Sequence, residues 1–79
     1  MLFLGVDVGT QGVRCAVADE DGRPRAGHAV AFARMNLAQA PDRYEQSPAD
    51  WWDAAAECIA ACCQSLRAEG LSGEEIAAI

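Results

Sequence analysis

The sequence predicts an α/β fold whose elements follow the order βββαβ. Three apolar, partly alternating segments open the chain, and a glycine-rich turn and an Asp-Gly turn separate them, as expected for consecutive hairpins. A long alanine-rich stretch with helical spacing follows, and a short apolar run ends the sequence. Because a strand after a long helix tends to lie parallel to an earlier strand, this last run is expected to join the same sheet.

The first hairpin is predicted from strands at residues 2–8 and 12–19. The first strand is apolar except for the carboxylate of Asp7, and it is expected to be buried. The segment 9–12 contains two glycines and a hydroxyl side chain, which favours a tight bend. Asp7 and the polar bend are therefore expected at the same end of the sheet.

The third strand is predicted at residues 25–34, after a polar turn. Pro24 stands at its start, where the loss of one backbone donor does least harm. Residues 35–46 show no regular period and contain Pro41, so a loop is predicted there.

The helix is predicted at residues 48–69 by signals at both of its ends. Ser47 is a hydroxyl N-cap, Pro48 suits the first helical position, and Gly70 ends the helix. The next strand is predicted to begin within residues 76–79, so the βββαβ unit is incomplete in this chain.

One face of the predicted helix is apolar and is expected to pack on the sheet. Its side chains recur at steps of three and four residues: Trp52, Ala55, Ile59, Cys62 and Leu66, with Trp51 and Cys58 on the flank. For the two tryptophans, stacking on a sugar ring is the alternative to a position in the core.

Length and charge limit the class of protein. A chain of 79 residues buries only about 60% of its unfolded surface, so we expect it to be a piece of a longer protein. The formal charge of −6 without a basic cluster argues against nucleic acid and membrane surfaces as partners. The apolar start lacks a basic residue and is interrupted by Asp7, so neither a signal peptide nor a membrane span is predicted. A cytoplasmic location is expected.

The four cysteines are expected to be reduced, buried thiols. Cys58, Cys62 and Cys63 lie on the predicted helix, and Cys15 lies alone on a strand. A zinc site is not expected, because CxxC spacing is missing and the only histidine, His28, belongs to a different segment.

The bend after the first strand has the chemistry of a phosphate site. Successive backbone N–H groups of a glycine-rich bend can point at one anion, and Thr10 adds a hydroxyl donor. Arg14 adds a guanidinium fork, with a solvent-facing ion pair as its alternative role. Asp7 would repel phosphate directly, so a role through Mg²⁺ or its waters is expected, and a structural cap of the strand is the alternative. Neither GxxxxGK[ST] nor GxGxxG is present.

Asp7-Val8-Gly9-Thr10 followed by Arg14 resembles DxGTxxxR, the first phosphate motif of the FGGY carbohydrate kinases. Residues 44–52 resemble the EQDPxDWW segment that opens the first long helix in that family, and residues 74–79 resemble its lead into the next strand. A DxGT hairpin alone is less specific, because actin-like proteins and heat-shock chaperone ATPases have comparable hairpins. The combined resemblance runs along essentially the whole chain.

The resemblance implies a ribonuclease-H-like fold of the actin-like ATPase superfamily, with residues 1–79 as the N-terminal part of the first domain. It also implies transfer of the ATP γ-phosphoryl group to a sugar hydroxyl, with ATP and Mg²⁺ as cofactors and a small sugar as substrate. The general base would lie downstream. The 79 residues alone are therefore expected to be inactive.

The family's site residues carry over onto the first hairpin. Asp7 would serve Mg²⁺ and the transferred phosphate. The nucleotide phosphates would be lined by Gly9, Thr10 and Gln11, and Arg14 would pair with their charge.

Two departures from the glycerol kinases make a pentulose, xylulose or ribulose, the expected substrate. Those kinases have hydroxyl residues at the positions of Gln11 and Gly12, and they lack the paired Trp51 and Trp52. Two other classes stay open: an actin-like nucleotide-binding scaffold or regulator without kinase activity, and a free-standing domain with an incidental hairpin. A second phosphate motif and a base aspartate downstream would favour the kinase. The oligomeric state, including a homodimeric parent, is also open.

Overall fold

The structure is a computed structural model that describes the backbone of residues 1–32, 37–40, 43–45 and 48–79, and the side chains of residues 1–32 and 48–79. Its elements are β1 (Leu2–Val8), β2 (Gly12–Asp19), β3 (Pro24–Ala31), β4 (Leu37–Ala40), β5 (Arg43–Glu45), α1 (Pro48–Ala68), a 3-10 turn (Gly73–Glu75) and β6 (Ile76–Ala78).

Four strands form a mixed sheet in the order β3-β2-β1-β6, which confirms the predicted α/β fold. β1 is antiparallel to β2 and parallel to β6, so the chain returns through α1 to the free edge of its first strand. No helix within the described residues is long and apolar enough to cross a membrane.

Two of the sequence-based element predictions need correction. Within the described residues β3 ends at Ala31, which lies opposite Gly12, the first residue of β2, and Phe32 follows outside the strand. Residues 33 and 34 lie outside the described part of the chain, as does Ser47, the predicted N-cap.

The second correction concerns residues 35–46, for which the sequence predicts a loop. The described residues in this range form an antiparallel pair, β4 with β5, in which Leu37 lies opposite Glu45. Strands of four and three residues are too short to show a period, and Pro41 falls between them. The segment predicted to be a loop therefore contains an antiparallel pair of short strands.

The core lies between one face of the sheet and α1. It comprises Leu2, Leu4, Val13, Cys15, Val17, Phe32, Ala54, Cys58, Cys62 and Leu66. The predicted helix stripe is wrong at its N-terminal end, because Trp52 is 76% exposed and Ala54 is buried. Small side chains, alanine and cysteine, form much of the buried face of the helix, so its axis comes close to the sheet.

Burial of β1 is also less complete than the sequence predicts. Leu2 and Leu4 are buried, whereas Phe3, Val6 and Val8 are 40%, 37% and 50% exposed. Phe3 points to the sheet face opposite α1, because side chains alternate along a strand. Val6 and Val8 share the face of Leu4, but α1 lies mainly over β2 and β3 and leaves them open.

Asp19 holds the turn between β2 and β3. Its Oδ1 accepts hydrogen bonds from the backbone N–H of Asp21 (3.0 Å) and Arg23 (2.9 Å), and its Oδ2 lies 3.5 Å from Nη1 of Arg25. The hydrogen bond from Arg23, followed by those from Asp21 and Arg25, lowers the pKa of the Asp19 carboxyl. Gly22 has a φ of 80°, which glycine adopts without strain.

Three buried thiols lie between β2 and α1. Sγ of Cys58 donates to the carbonyl oxygens of His28 (3.2 Å) and Val13 (3.7 Å), and Sγ of Cys62 donates to that of Cys15 (3.9 Å). All four cysteines are free. Burial, together with the neighbouring thiol of Cys58, raises the pKa of Cys15 to about 12, and burial raises that of Cys62.

We expect these thiols to make folding stability decline in alkaline solution. The Cys15 thiol has a pKa of 9.0 in the unfolded chain and of about 12 in the folded one. Its contribution to the free energy of unfolding is therefore fully present below pH 9.0 and is lost as the pH rises from 9.0 to about 12. Urea titrations at a series of pH values measure the decline, and the slope should be smaller in Cys15→Ala. Equal slopes for both proteins would contradict the assignment.

Candidate active site

The bend between β1 and β2 is fixed by two backbone hydrogen bonds. The N–H of Gly9 donates to the carbonyl oxygen of Gly12 at 2.9 Å and closes the bend itself. The N–H of Phe32 donates to the carbonyl oxygen of Gln11 at 3.0 Å and ties the bend to the end of β3. The side chain of Phe32 is buried, so the second hydrogen bond anchors the bend to the core.

Gly12 is required by space and not by backbone conformation. Among the described glycines only Gly22 and Gly70 have a positive φ. A Cβ atom at Gly12 would overlap the carbonyl oxygen of Val30 and lie 3.0 Å from Cα of Ala31. The glycine therefore allows β3 to approach the start of β2 closely.

A solvent-open cavity of about 420 Å³ lies at this bend. It is lined by Asp7, Gly9, Thr10, Gln11, Gly12, Val13, Arg14, Ala29, Val30 and Ala31. The cavity thus brings together every residue that the sequence analysis assigns to phosphate or Mg²⁺. The side chains among these residues that could bind a ligand by charge or hydrogen bonding are exposed, as ligand binding requires.

Asp7 and Arg14 lie directly opposite each other on β1 and β2. Alternation places both on the sheet face away from α1, since their neighbours Val13 and Cys15 are in the core. Opposed residues of an antiparallel pair have Cβ atoms about 5 Å apart. The ion pairs found between described residues do not include Asp7 with Arg14. The carboxylate and the guanidinium therefore line the cavity as neighbours that are not joined in a salt bridge.

A second cavity of about 470 Å³ lies along the same sheet face and shares Asp7, Arg14 and Ala29 with the first. Gly5 on β1 lies opposite Ala16 on β2, and these small or missing side chains leave room for the cavity. The face on which Asp7 and Arg14 stand is therefore open well beyond the bend.

Magnesium fits the donor set only as an ion shared with a ligand. Within the described residues no group of three or more His, Cys, Asp or Glu side chains could hold a metal. Among the described residues that line the first cavity, Asp7 supplies the only carboxylate. Mg²⁺ typically binds proteins through one or two carboxylates and completes its shell with water and substrate phosphates, so a single Asp7 is compatible with it.

Sequence reasoning did not identify the wall that β3 contributes to the cavity. Ala29, Val30 and Ala31 carry no polar group that would mark them. The signal was the strand register, because these residues lie opposite Arg14, Val13 and Gly12 respectively.

Together, the mixed sheet and the polar cavity at its first bend define an α/β domain with a candidate ligand site at a strand-to-strand turn. The chain belongs to the FGGY family of carbohydrate kinases, because the model of that family's N-terminal domain matches residues 2–79. No individual curated protein matches the chain. The match confirms the family indicated by the DxGTxxxR motif and the Trp-Trp helix, and the family is one of phosphotransferases that act on carbohydrates.

Proposed function

We propose that the protein containing this chain transfers the γ-phosphoryl group of ATP to a hydroxyl of a sugar. The observation that carries the proposal is the cavity at the first bend, where Asp7, Thr10 and Arg14 line one space in a carbohydrate kinase domain. The chain is the N-terminal part of a first domain with a ribonuclease-H-like fold. The main sheet supports this assignment, because three consecutive antiparallel strands, β1 to β3, are joined after α1 by β6, which lies parallel to β1.

The bend binds the phosphates of the nucleotide. Gly9, Thr10 and Gln11 line the cavity, and the hydroxyl of Thr10 is a hydrogen-bond partner for phosphate oxygens. Arg14 lies on β2, lines the same cavity, and pairs with the negative charge of the phosphates. Arg14 lies on β2, paired with β1, so the sheet fixes its backbone before the ligand arrives, which lowers the entropy that binding loses.

Asp7 would hold Mg²⁺, directly or through its waters. Such an ion would neutralise charge on the transferred group. Asp7 lies opposite Arg14 on the paired strands, so the carboxylate that would hold the ion and the guanidinium stand on the same side of the sheet. Repulsion between the carboxylate and phosphate is thereby offset.

The substrate is a pentulose, xylulose or ribulose, and the enzyme acts in the cytoplasm. Gln11 and Gly12 support this substrate class, because the glycerol kinases differ from this chain in having hydroxyl residues at both positions. Residues 1–79 contain one side of the site and no general base, so they are inactive alone.

An assay of the full-length protein with Mg·ATP and a panel of xylulose, ribulose and glycerol tests the function. We expect ADP and a sugar phosphate with at least one pentulose and little turnover of glycerol. Nucleotide binding without phosphorylation of any sugar would favour the scaffold class instead. Turnover of glycerol above that of both pentuloses would contradict the substrate class while leaving the kinase activity in place.

A further inference from the structure

The packing of α1 on β2 fixes which end of the helix lies near the bend. Sγ of Cys58 is 3.7 Å from the carbonyl oxygen of Val13, and Sγ of Cys62 is 3.9 Å from that of Cys15. Moving along the helix toward its C-terminus therefore means moving along β2 away from the bend. The first turn of α1 lies at the bend end of the sheet.

Trp51 lies on the same side of the helix as the buried Cys58, because the two are seven residues, about two turns, apart. Helical rise places Trp51 about 10 Å beyond Cys58 toward the helix N-terminus. Strand rise places Gln11 about 7 Å beyond Val13 in the same direction. Trp51 and the bend are therefore at similar heights, and helical side chains lean further toward the N-terminus.

The exposure of the two tryptophans agrees with this placement. Trp51 is 38% exposed, half the value of 76% for Trp52, although both stand in the first turns of α1. Ala54, one turn after Trp51, belongs to the same core cluster as Phe32. Phe32 is in turn the residue whose N–H donates to Gln11 in the bend.

We propose that Trp51 is a positioning residue for the phosphate bend. Its indole lies behind the bend on the α1 side, next to the anchor formed by Phe32, and the ligand cavity opens on the other side. The bend carries exposed residues at 9, 10 and 11 and has little packing of its own. An indole behind Gln11 limits its movement and so keeps Thr10 and Gln11 in place at the cavity. The role rests on the proposed function, since it presumes that the bend binds nucleotide.

Calorimetric titration of the full-length protein with Mg·ATP tests the role. We expect Trp51→Ala to raise the Kd for ATP about tenfold, because a small displacement of binding groups has large effects. Trp51→Phe should restore most of the affinity, since it keeps an aromatic ring behind the bend. The matched control is Trp52→Ala, which removes the neighbouring, outward-facing indole and should leave the Kd within about twofold.

A second control separates positioning from loss of stability. Leu66 is fully buried at the opposite end of the same helix, so Leu66→Ala lowers the melting temperature without approaching the bend. Binding and activity are measured at a temperature well below the melting temperatures of the two variants. Under these conditions Leu66→Ala should bind ATP with the wild-type Kd. Trp51→Ala should raise the KM for ATP but not the KM for the sugar.

The outcomes separate the role of Trp51 from the function itself. If wild-type protein binds ATP and Trp51→Ala matches Trp52→Ala, the positioning role is wrong and the proposed function stands. If Trp51→Ala and Leu66→Ala weaken ATP binding equally, the effect belongs to general stability and the role is again wrong. A wild-type protein that binds no ATP would overturn both proposals.

Discussion

Replacement of Asp7 by asparagine is expected to lower the turnover number of the full-length protein by about 100-fold or more. The amide keeps the shape of the side chain but removes the negative charge that would hold Mg²⁺ beside the transferred phosphate. Asp7 is exposed at the cavity and takes no part in the core, so the folded structure should persist. Steady-state assays at saturating ATP and sugar measure the loss.

The control for this variant is Asp21→Asn. Asp21 is exposed in the turn between β2 and β3, at the end of the sheet opposite the bend, so the same change of charge there should leave turnover intact. Both variants should melt within about 2 °C of the wild-type protein, as surface substitutions usually do. A turnover number for Asp7→Asn equal to that of Asp21→Asn would remove Asp7 from the mechanism.

The first hairpin is predictable from sequence because its signals are local. An apolar run, a glycine-rich bend and a second alternating run determine a hairpin with few alternatives. The register then follows from the short bend and places Asp7 opposite Arg14. Two charged residues seven positions apart thus become neighbours, which is why a motif read along the chain corresponds to a site in space.

The helix face is harder to predict because it depends on the partner surface. Trp52 heads an apolar stripe in the sequence, yet 76% of it is exposed in the described structure. The buried face instead passes through Ala54 and Cys58, whose small side chains let the helix lie close to β2 and β3. Apolar spacing alone does not show which residues of a helix have sheet beneath them, and the first turn of α1 lies at the bend end of the sheet.

Glycine positions show the same division between local and tertiary causes. Gly22 follows from turn chemistry, since an Asp-Gly pair between two strands predicts a left-handed glycine. Gly12 does not, because its requirement comes from a strand that approaches from 18 residues further along the chain, at Val30.

Substitution of Gly12 by alanine is therefore expected to destabilise the protein by about 3 kcal/mol. The new Cβ would overlap backbone atoms, the carbonyl oxygen of Val30 and Cα of Ala31, and backbone cannot rotate aside as a flexible side chain can. To relieve the overlap, the end of β3 would have to move away from the start of β2. That movement would also shift Ala31 and the neighbouring Phe32, which anchors the bend.

Gly5→Ala is the matched control, since Gly5 lies on β1 of the same sheet and its added Cβ would be 3.9 Å from the nearest atom, the carbonyl oxygen of Ala16. That separation is ordinary contact, so Gly5→Ala should change the free energy of unfolding by less than about 1 kcal/mol. Urea denaturation of both variants measures the difference. Equal stabilities would mean that β3 yields easily at Val30. A Gly12→Ala protein as stable as the wild type would contradict the close approach of β3 as the reason for the glycine.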